Sequence, residues 1–376
     1  MERYDAVIVG GGPAGSTCAW RLRQAGFDVL VLDKQVFPRD KVCAGWITPA
    51  VIETLHVDIE EYRQGRIFQP ITGFLVGWID GVAAETRYGR PVSYGIRRCE
   101  FDHYLLARSG ARLRLGESVQ TLDRTGDEWL VNASIQTPLL IGAGGHFCPV
   151  ARFLGAQLGG GEQVIAAQEI EFEMSRQQAR ACRVAPEIPE IYFCNDLKGY
   201  GWCFRKGDFL NIGLGREDTR RLAEHVSAFS QFLKRYSRIP QDTPDRFKGH
   251  AYLLYGHAPR KLLDDGVLLI GDAAGLAYPQ SGEGIRPAVE SGIIAAEVIL
   301  AAGGDYRCEN LEAYRKRLMG RFGERGKMEV SHLFPPGLKQ FIGKRLVATR
   351  FFSRHVILDR WFLHSHQPIL TAEKIH

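Results

Sequence analysis

The first 34 residues contain apolar runs separated by a glycine-rich turn, an order typical of a strand–helix–strand unit. Residues 4–9 (YDAVIV) form a short, β-branched apolar run, the pattern of a buried strand. Residues 16–25 have the pattern of a helix, and Gly26 is placed to end it. Residues 27–32 (FDVLVL) predict a second buried strand, which ends at Asp33.

Later runs predict two antiparallel sheets and further buried strands. The segment 67–92 alternates apolar and polar residues with glycine breaks, which is typical of antiparallel strands. A second antiparallel sheet, with its hairpin turn at 206–208, is predicted from the runs 164–174, 190–194 and 201–214. The remaining predicted elements are buried strands over 139–145 and 266–272, strands over 112–119 and 128–133, and helices over 97–107, 222–236 and 285–300.

The size of the chain indicates two intimately packed domains, because 376 residues exceed the usual size of one domain. The net charge of +5 is mild and spread along the sequence, which argues against a nucleic-acid partner. No apolar run approaches the roughly 18 residues of a membrane-spanning helix, and we expect no signal peptide. The eight cysteines are scattered without a C-x-x-C pair, so we expect reduced thiols, a cytoplasmic protein and no metal site.

Three glycines after the first strand match the G-x-G-x-x-G spacing of a dinucleotide-binding turn: Gly10, Gly12 and Gly15. Gly10 allows the tight turn, Gly12 lets a pyrophosphate approach the backbone, and Gly15 allows close helix–strand packing. Free N–H groups and the helix dipole favour phosphates at this helix N-terminus. Asp33 then stands where a carboxylate can accept hydrogen bonds from ribose hydroxyls. The alternative is a glycine-rich turn without a ligand.

A second glycine–carboxylate motif occupies residues 271–285 (GDAAGLAYPQSGEGI). Asp272 stands at the end of a predicted buried strand, where a ribityl chain needs a partner for its hydroxyls. A glycine-rich loop then leads into another helix N-terminus. A dinucleotide whose two halves lie far apart needs two such contacts, whereas a nicotinamide enzyme usually shows only the first.

Several motifs together resemble the aromatic-ring-hydroxylase-like flavoprotein superfamily and, within it, the geranylgeranyl reductase family. The first glycine motif, Arg98 ahead of Phe101-Asp102, and the block at 271–285 resemble the whole superfamily. Residues 37–45 (FPRDKVCAG) resemble the F-P-R-D-K-x-C-G-G run of the reductases. Residues 200–204 (YGWCF) resemble their Y-x-W-x-F-P substrate-site motif. The C-terminal part of the chain carries no such motif.

The resemblance implies FAD as the cofactor and assigns residues to its adenosine and phosphate parts. The first glycine turn meets the pyrophosphate, and Asp33 holds the adenosine ribose. The backbone of Val119 pairs with the adenine edge. Arg98 and Asp272 reach the phosphate and ribityl region.

The flavin ring is assigned to two further segments by the same resemblance. Residues 43–45 lie along the ring, while the N–H groups of Gly284 and Ile285 face its N1–C2=O edge and stabilise negative charge there. The complete set of cofactor-binding residues implied is Gly10, Gly12, Pro13, Ala14, Gly15, Asp33, Lys34, Cys43, Ala44, Gly45, Arg98, Val119, Gly271, Asp272, Pro279, Gly282, Gly284 and Ile285.

The fold implied is of the α/β class, a Rossmann-like FAD-binding domain with an inserted antiparallel β-sheet substrate domain and a C-terminal helical segment. The predicted boundaries place the FAD-binding domain at 1–66, 97–160 and 263–305, the substrate domain at 67–96 and 161–262, and the C-terminal segment at 306–376.

The chemistry that the resemblance favours is transfer of hydride from flavin N5 to a carbon–carbon double bond of an isoprenoid or other apolar substrate, followed by protonation. Tyr200, Trp202 and Phe204 alternate on a predicted strand and therefore project to one face. As catalytic-site residues they would form an aromatic wall that suits an apolar chain and stabilises cationic charge; the alternative is ordinary sheet core. Cys43 is either a catalytic proton donor or gate, or a small buried filler.

Three other functions stay open at this level. A flavin-dependent monooxygenase acting on an aromatic or apolar substrate fits the same cofactor motifs. A halogenase fits less well, because its lysine and W-x-W-x-I-P motif are not evident. A flavin-binding protein without chemistry is kept open by Arg205 in place of the motif's Pro and by Gly144-Gly145 in place of an acidic D-G pair. The electron donor is either NADPH or a reduced ferredoxin, the latter being a protein partner.

The chain from Tyr306 onward has a helical pattern with Lys and Arg beside aromatic residues, as in 351–354 (FFSR) and 360–363 (RWFL). One interpretation is a basic amphipathic face that lies peripherally on the inner surface of a membrane. The other is a helix that packs on the body of the protein with its charges in solvent.

Overall fold

The computed structural model of this chain describes residues 1–157, 162, 164–218, 220–256, 260–323, 345–347 and 349–371. Four sheets and the helices between them make up this part of the chain. No helix within these ranges is long and apolar enough to cross a membrane.

A six-stranded sheet collects strands from three separate parts of the sequence. Its order is Leu263–Asp264, Val267–Leu269, Leu140–Gly142, Ala6–Val9, Val29–Asp33 and Arg112–Leu115. All neighbours are parallel except the first pair. The central strands are buried along their length, as expected for parallel strands covered by helices on both faces. The predicted strand–helix–strand unit and the buried strands after it are therefore confirmed.

Two helices that start at the predicted glycine motifs lie against each other beside this sheet, Pro13–Gln24 and Ile285–Ala301. Gly292 makes the contact close, because a Cβ there would lie only 2.6 Å from the carbonyl oxygen of Ala14. The N-termini of both helices consequently open onto the same region of the molecule.

A seven-stranded sheet forms the second layer of the fold. Its order is Lys248–Leu253, Val164–Glu173, Phe209–Arg216, Gly199–Lys206, Glu190–Phe193, Gly73–Trp78 and Ala83–Arg87. The predicted hairpin is confirmed, since Lys206 pairs with Phe209 across Gly207. The strands predicted over 67–92 and over 164–214 belong largely to this one sheet, joined by a parallel pair between Glu190–Phe193 and Gly73–Trp78.

Two small sheets complete the strand content. One has the order Trp46–Ile47, Ser93–Ile96 and Phe68–Ile71, and the other has the order Glu2–Arg3, Ile135–Thr137, Glu128–Val131 and Leu122–Thr125. The first of them takes two strands from the predicted 67–96 segment away from the seven-stranded sheet. It pairs them with the loop that carries the resemblance to the reductases.

The helices predicted over 97–107, 222–236 and 285–300 agree with the structure to within one residue at each end, whereas the first helix begins at Pro13, three residues before its predicted start at 16. In chain order the helical elements are Pro13–Gln24, Pro49–Leu55, Ile59–Tyr62, Arg98–Arg108, Pro149–Phe153, Arg176–Ala181, Leu222–Arg235, the 3₁₀ turn Gly271–Ala274, Ile285–Ala301, Cys308–Phe322, Arg350–Phe352 and the π-helical Ser353–Phe362. The prediction of helix over 324–344 and 372–376 lies outside the described residues.

The C-terminal π-helical stretch packs on one face of the seven-stranded sheet, opposite the helix Leu222–Arg235. Ile357, Leu358 and Phe362 are buried there together with Trp202 from the sheet. The apolar face of this stretch therefore meets the protein body, as the second of the two interpretations of the C-terminal pattern requires.

Candidate cofactor and substrate site

The first glycine turn has the geometry that its spacing predicts. Gly10 has a φ of +117°, and a Cβ there would overlap the carbonyl of Ala143 on the neighbouring strand. A Cβ on Gly15 would overlap the Gly10 carbonyl, so helix and strand end are in contact. Gly12 differs from both, because the nearest group to a Cβ there is Arg39 Nη2 at 3.6 Å. Of these three glycines, only Gly12 has open space beside its backbone, and we call this space the Gly12 cradle.

Asp33 closes this corner from the second strand. Its Oδ2 accepts a hydrogen bond from the Gly11 N–H at 2.8 Å, and its Oδ1 accepts from the Gln35 N–H at 2.9 Å. In the described part of the chain no side chain caps the helix Pro13–Gln24, and its first turn holds no acidic residue. The donors at this helix start therefore suit an anionic ligand.

Basic side chains gather in front of the Gly12 cradle. Arg98 donates two hydrogen bonds to the buried Asp102 carboxylate at 2.8 and 2.9 Å, and Arg39 Nη1 lies 3.1 Å from the same group. Lys41 Nζ lies 2.7 Å from His250 Nε2. Burial lowers the pKa of Lys41 to about 8, against the pull of Asp272, and burial with the Lys41 charge lowers the pKa of His250 to about 2.

His250 is consequently a neutral acceptor, so the positive charges at this corner are those of Arg39, Lys41 and Arg98. One of these three charges is balanced by Asp102, which leaves a surplus that suits the pyrophosphate of FAD. The chemistry of this donor set therefore fits the cofactor that the fold implies.

The second glycine corner adjoins the first. Gly271 has a φ of +60°, and a Cβ there would lie 2.9 Å from the Cβ of Ala14. Its N–H donates to Ser291 Oγ at 3.0 Å, which fixes the turn on the helix Ile285–Ala301. Asp272 follows, and its Oδ1 lies 3.2 Å from the Cβ position of Gly284. The structure thus brings the two motifs together although they are more than 250 residues apart in the sequence.

The loop between Asp272 and the second helix is held by its own backbone. The Gly282 N–H donates to the Tyr278 carbonyl at 2.8 Å, and the Tyr278 N–H donates to the Glu283 carbonyl at 2.9 Å. Gly282 has a φ of +67°, and a Cβ there would overlap the Tyr252 hydroxyl. Pro279 lies half-buried in the same loop.

The loop at Cys43 is fixed from behind by the seven-stranded sheet. Asn211 Nδ2 donates to the Cys43 carbonyl at 3.2 Å, and Lys206 Nζ donates to the Ala44 carbonyl at 3.1 Å. Gly45 has a φ of +68°, and a Cβ there would overlap the Ile96 carbonyl. The Cys43 thiol accepts from the Gly45 N–H at 3.4 Å and is also within reach of the Arg98 guanidinium.

Two carboxylates share the amide that holds this loop. Asn211 Nδ2 lies 3.3 Å from Glu169 Oε2 and 3.2 Å from Glu171 Oε2. Burial raises the pKa of Glu169 to about 8. Burial also opposes ionisation of Glu171, but Lys206 Nζ at 2.5 Å, together with hydrogen bonds from Asn211 and Arg97, outweighs it and lowers the pKa of Glu171. Neighbouring carboxyls are thereby held in different protonation states at neutral pH.

Tyr200, Trp202 and Phe204 do project to one face of their strand. They belong to the apolar cluster beneath the C-terminal π-helical stretch. Phe204 is deepest, only 1% exposed and stacked on Trp46 with ring centroids 5.1 Å apart. Tyr200 is half-buried, lies 5.3 Å from the ring of Phe362, and donates a hydrogen bond to the carbonyl of Ser281 in the second glycine loop.

The predicted site residues therefore lie around the two glycine corners, except for two that lie farther out. Lys34 is exposed on the outer side of Asp33, and Val119 is half-buried at the edge of the core around the six-stranded sheet. The sequence did not single out seven residues that the structure adds to the site: Arg39, Lys41, Glu169, Glu171, Lys206, Asn211 and His250. Arg39 and Lys41 lay within the quoted 37–45 motif. Glu169 shares its strand with Gln168, Glu171 and Glu173, so no sequence pattern marked it as part of an inward-facing cluster.

A family model described as an NAD(P)-binding Rossmann-like domain matches residues 8–50. A digeranylgeranylglycerophospholipid reductase of Methanothrix thermoacetophila is 30% identical over 367 residues, which cover 90% of this chain and 87% of that protein. The enzyme of the same name from Methanocaldococcus jannaschii is 29% identical, covering 84% and 82%. A menaquinone reductase of Mycobacterium tuberculosis is also 29% identical, covering 79% and 77%.

Among solved structures, a geranylgeranyl bacteriochlorophyll reductase-like protein of Thermoplasma acidophilum superimposes with a TM-score of 0.73 at 21% identity, covering 93% of this chain and 88% of that one. CmlS, a flavin-dependent halogenase, superimposes with a TM-score of 0.66 at 20% identity, covering 86% and 63%. At these low sequence identities, the two superpositions show that the fold is shared.

Proposed function

Because the chain belongs to the geranylgeranyl reductase family of FAD-dependent oxidoreductases, we propose that it saturates carbon–carbon double bonds in the polyprenyl chain of a lipid or quinone. One observation supports this most directly. The aromatic wall of the seven-stranded sheet is hydrogen-bonded, through Tyr200, to the loop of the second glycine corner. An apolar cluster thus borders the place where the cofactor motifs meet.

The residues that would hold the cofactor follow from the two corners. The N–H groups after Gly12 would bind the pyrophosphate with Arg39 and Lys41, and Asp33 would exchange its bond to Gly11 for the ribose hydroxyls. Asp272 would serve the ribityl chain. When bound, FAD supplies a hydride at its N5 atom.

The aromatic wall would hold the substrate chain and keep water away from it. Tyr200 and Trp202 belong to this apolar cluster, and Phe362 of the C-terminal stretch packs against Tyr200. An isolated alkene is a poor hydride acceptor, so positive charge must develop on it as it is protonated. Aromatic faces stabilise such charge electrostatically in a dry site.

A proton must also reach the neighbouring carbon, and we assign this role to Cys43. Its thiol lies on the loop that Asn211 and Lys206 fix to the sheet, next to the Gly45 N–H and the Arg98 guanidinium. Both groups stabilise the thiolate that remains after the proton has left. Burial raises the pKa of the Tyr200 phenol, which stays neutral and keeps its donor bond to Ser281.

The experiment that tests this function is anaerobic. The FAD-loaded protein is reduced with dithionite and then mixed with a geranylgeranyl glycerophospholipid or with a polyprenyl quinone. We expect reoxidation of the flavin together with a product that is heavier by two hydrogens per double bond. Reoxidation that needs O2 and yields a hydroxylated product would instead identify a monooxygenase. Parallel assays with NADPH or reduced ferredoxin in place of dithionite identify the electron donor.

We also propose a peripheral membrane contact that is confined to Phe351 and its basic neighbours. Phe351 is 73% exposed, and Arg350 and Arg354 are exposed beside it. This arrangement suits insertion of one aromatic ring among anionic headgroups. Flotation with vesicles of phosphatidylglycerol should recover the wild type and lose Phe351→Asp. Equal recovery of both proteins, or of neither, would exclude this contact.

A further inference from the structure

Glu283 lies between Gly282 and Gly284 of the second glycine corner, and its carboxylate lies at the N-terminus of the helix Ile285–Ala301. Its Oε1 accepts a hydrogen bond from the Arg286 N–H at 2.7 Å, and the Ile285 N–H also bonds to the carboxylate. Of the two backbone donors that the family resemblance assigns to the flavin edge, Gly284 and Ile285, the N–H of Ile285 is therefore one that Glu283 contacts. Its Oε2 is shielded from solvent and has no hydrogen-bond partner among the described residues.

Arg286 is the cation nearest to Glu283 in the sequence, but its side chain bonds to other groups. Arg286 Nε donates to Glu290 Oε1 at 2.8 Å, and its Nη2 donates to the carbonyls of Gln367 and Pro368 at 3.3 and 3.1 Å. Glu290 in turn accepts from Arg321 at 2.6 and 2.8 Å. The guanidinium is thus tied to the helix and the C-terminal stretch.

The titratable and charged groups that face Glu283 come from every element around it: Tyr200 from the strand Gly199–Lys206, Tyr278 from its own loop, Arg286 and Glu290 from the helix, and Asp272 across Gly284. Burial raises the pKa of Glu283 to about 7, and Glu290 adds to this, while Arg286 and the two N–H groups oppose it. Glu283 is therefore poised to change protonation state when a charge appears beside it.

We infer that Glu283 takes up a proton when the bound cofactor is reduced. This rests on the proposed function, because it requires FAD at the second corner. Reduction adds two electrons and places one proton on flavin N5, which leaves negative charge on the edge that faces the helix start. A second proton from solvent then binds to the unpartnered Oε2 of Glu283, so the net charge of this corner stays constant.

The competing interpretation is that Glu283 only caps the helix. A cap needs an acceptor oxygen but no titration, and Glu283→Gln keeps the acceptor while removing the titration. Glu297→Gln is the matched control, because Glu297 lies on the same helix about three turns from its start.

The test is a spectroelectrochemical titration of the FAD-loaded proteins from about pH 6 to about pH 9. For a two-electron couple, one proton gives a slope of about 30 mV per pH unit and two protons give about 59 mV. For the wild type and Glu297→Gln, we expect the slope of the reduction potential to increase from about 30 to about 59 mV per pH unit as the pH rises above 7. We expect Glu283→Gln to keep the shallow slope throughout that range.

The direction in which the slope changes with pH distinguishes protonation of Glu283 from protonation of the flavin itself. A proton that adds to N1 of the reduced flavin steepens the slope toward low pH, which is the opposite direction. A wild-type slope that does not steepen above pH 7, or equal slopes in wild type and Glu283→Gln, overturns the inference. If the variant fails to fold, a wild-type slope that stays shallow above pH 7 still overturns the inference.

The outcomes also separate this inference from the proposed function. A steepening wild-type slope without any alkene reduction overturns the proposed function and leaves Glu283 in its role. Alkene reduction with a wild-type slope that stays shallow supports the proposed function and overturns the role of Glu283. A chain that does not bind FAD overturns both.

Discussion

Trp202 Nε1 donates a hydrogen bond to Asn211 Oδ1 at 2.7 Å between neighbouring strands, and this bond joins the aromatic wall to the cofactor loop. It fixes the orientation of the Asn211 amide, so that Nδ2 must face the Cys43 carbonyl 3.2 Å away. The position of the loop that carries the resemblance to the reductases therefore depends on a residue of the substrate wall.

Replacement of Trp202 by Ala should abolish substrate turnover while FAD content stays normal, because the ring belongs to the apolar cluster and the glycine corners that would hold the dinucleotide do not include it. Trp202→Phe is the matched variant, since it keeps an aromatic face but loses the N–H that orients Asn211 and part of the indole ring system. We expect partial activity from it. Turnover by anaerobic product formation and FAD content by absorbance are the measurements. An Ala variant with normal turnover removes Trp202 from the site.

Replacement of Gly12 by Ala should weaken FAD binding at least tenfold without unfolding the protein. A Cβ there meets only Arg39 Nη2 at 3.6 Å, so the methyl group fits the apoprotein but fills the cradle meant for the pyrophosphate. Thermal unfolding of the apoprotein and fluorescence titration with FAD separate these effects. Gly320→Ala, which adds a methyl group in open space on a distant helix, is the control. Unchanged FAD affinity in Gly12→Ala would place the pyrophosphate elsewhere.

The two carboxyls beside Asn211 should affect stability with opposite dependence on pH. The raised pKa of Glu169 means that the folded state holds a proton that the unfolded state releases, so its contribution to stability is lost as pH rises from about 5 to about 8. Glu169→Gln should therefore gain stability relative to wild type over that range. Urea unfolding at several pH values measures this.

Glu171 provides the control for this experiment. Its lowered pKa means that its bond to Lys206 stabilises the fold above the unfolded-state pKa and is lost as pH falls. Glu171→Gln should therefore be less stable than wild type near neutral pH and approach it in acid. If both variants shift in the same direction with pH, the assignment of the two protonation states is wrong.

Replacement of Cys43 by Ser or Ala should lower turnover by roughly 10²- to 10⁴-fold, the usual contribution of a positioned proton donor. The backbone bonds of the loop to Asn211 and Lys206 do not involve the side chain, so FAD content should be retained. Product formation in pre-reduced enzyme is the measurement. Full activity of Cys43→Ser would show that the thiol is a small packing residue and that the proton comes from another group.

Local features of the site could be predicted from the sequence, because a few consecutive residues encode them. The tight turn at Gly10 and the contact at Gly15 exclude any side chain, so the glycine spacing already specifies their backbone geometry. The alternation of Tyr200 and Trp202 likewise follows from the two-residue period of a strand. The fold class and FAD followed from the resemblance that these short motifs carry.

Tertiary structure alone decided which distant groups meet and what charge they hold. The neutral state of His250 beside Lys41 and the raised pKa of Glu169 arise from burial between segments more than 120 residues apart in the sequence. The division of the 67–96 strands between two sheets depended on a parallel pairing with Glu190–Phe193. Strand register and desolvation are properties of the packed molecule, and no local spacing of residues contains them.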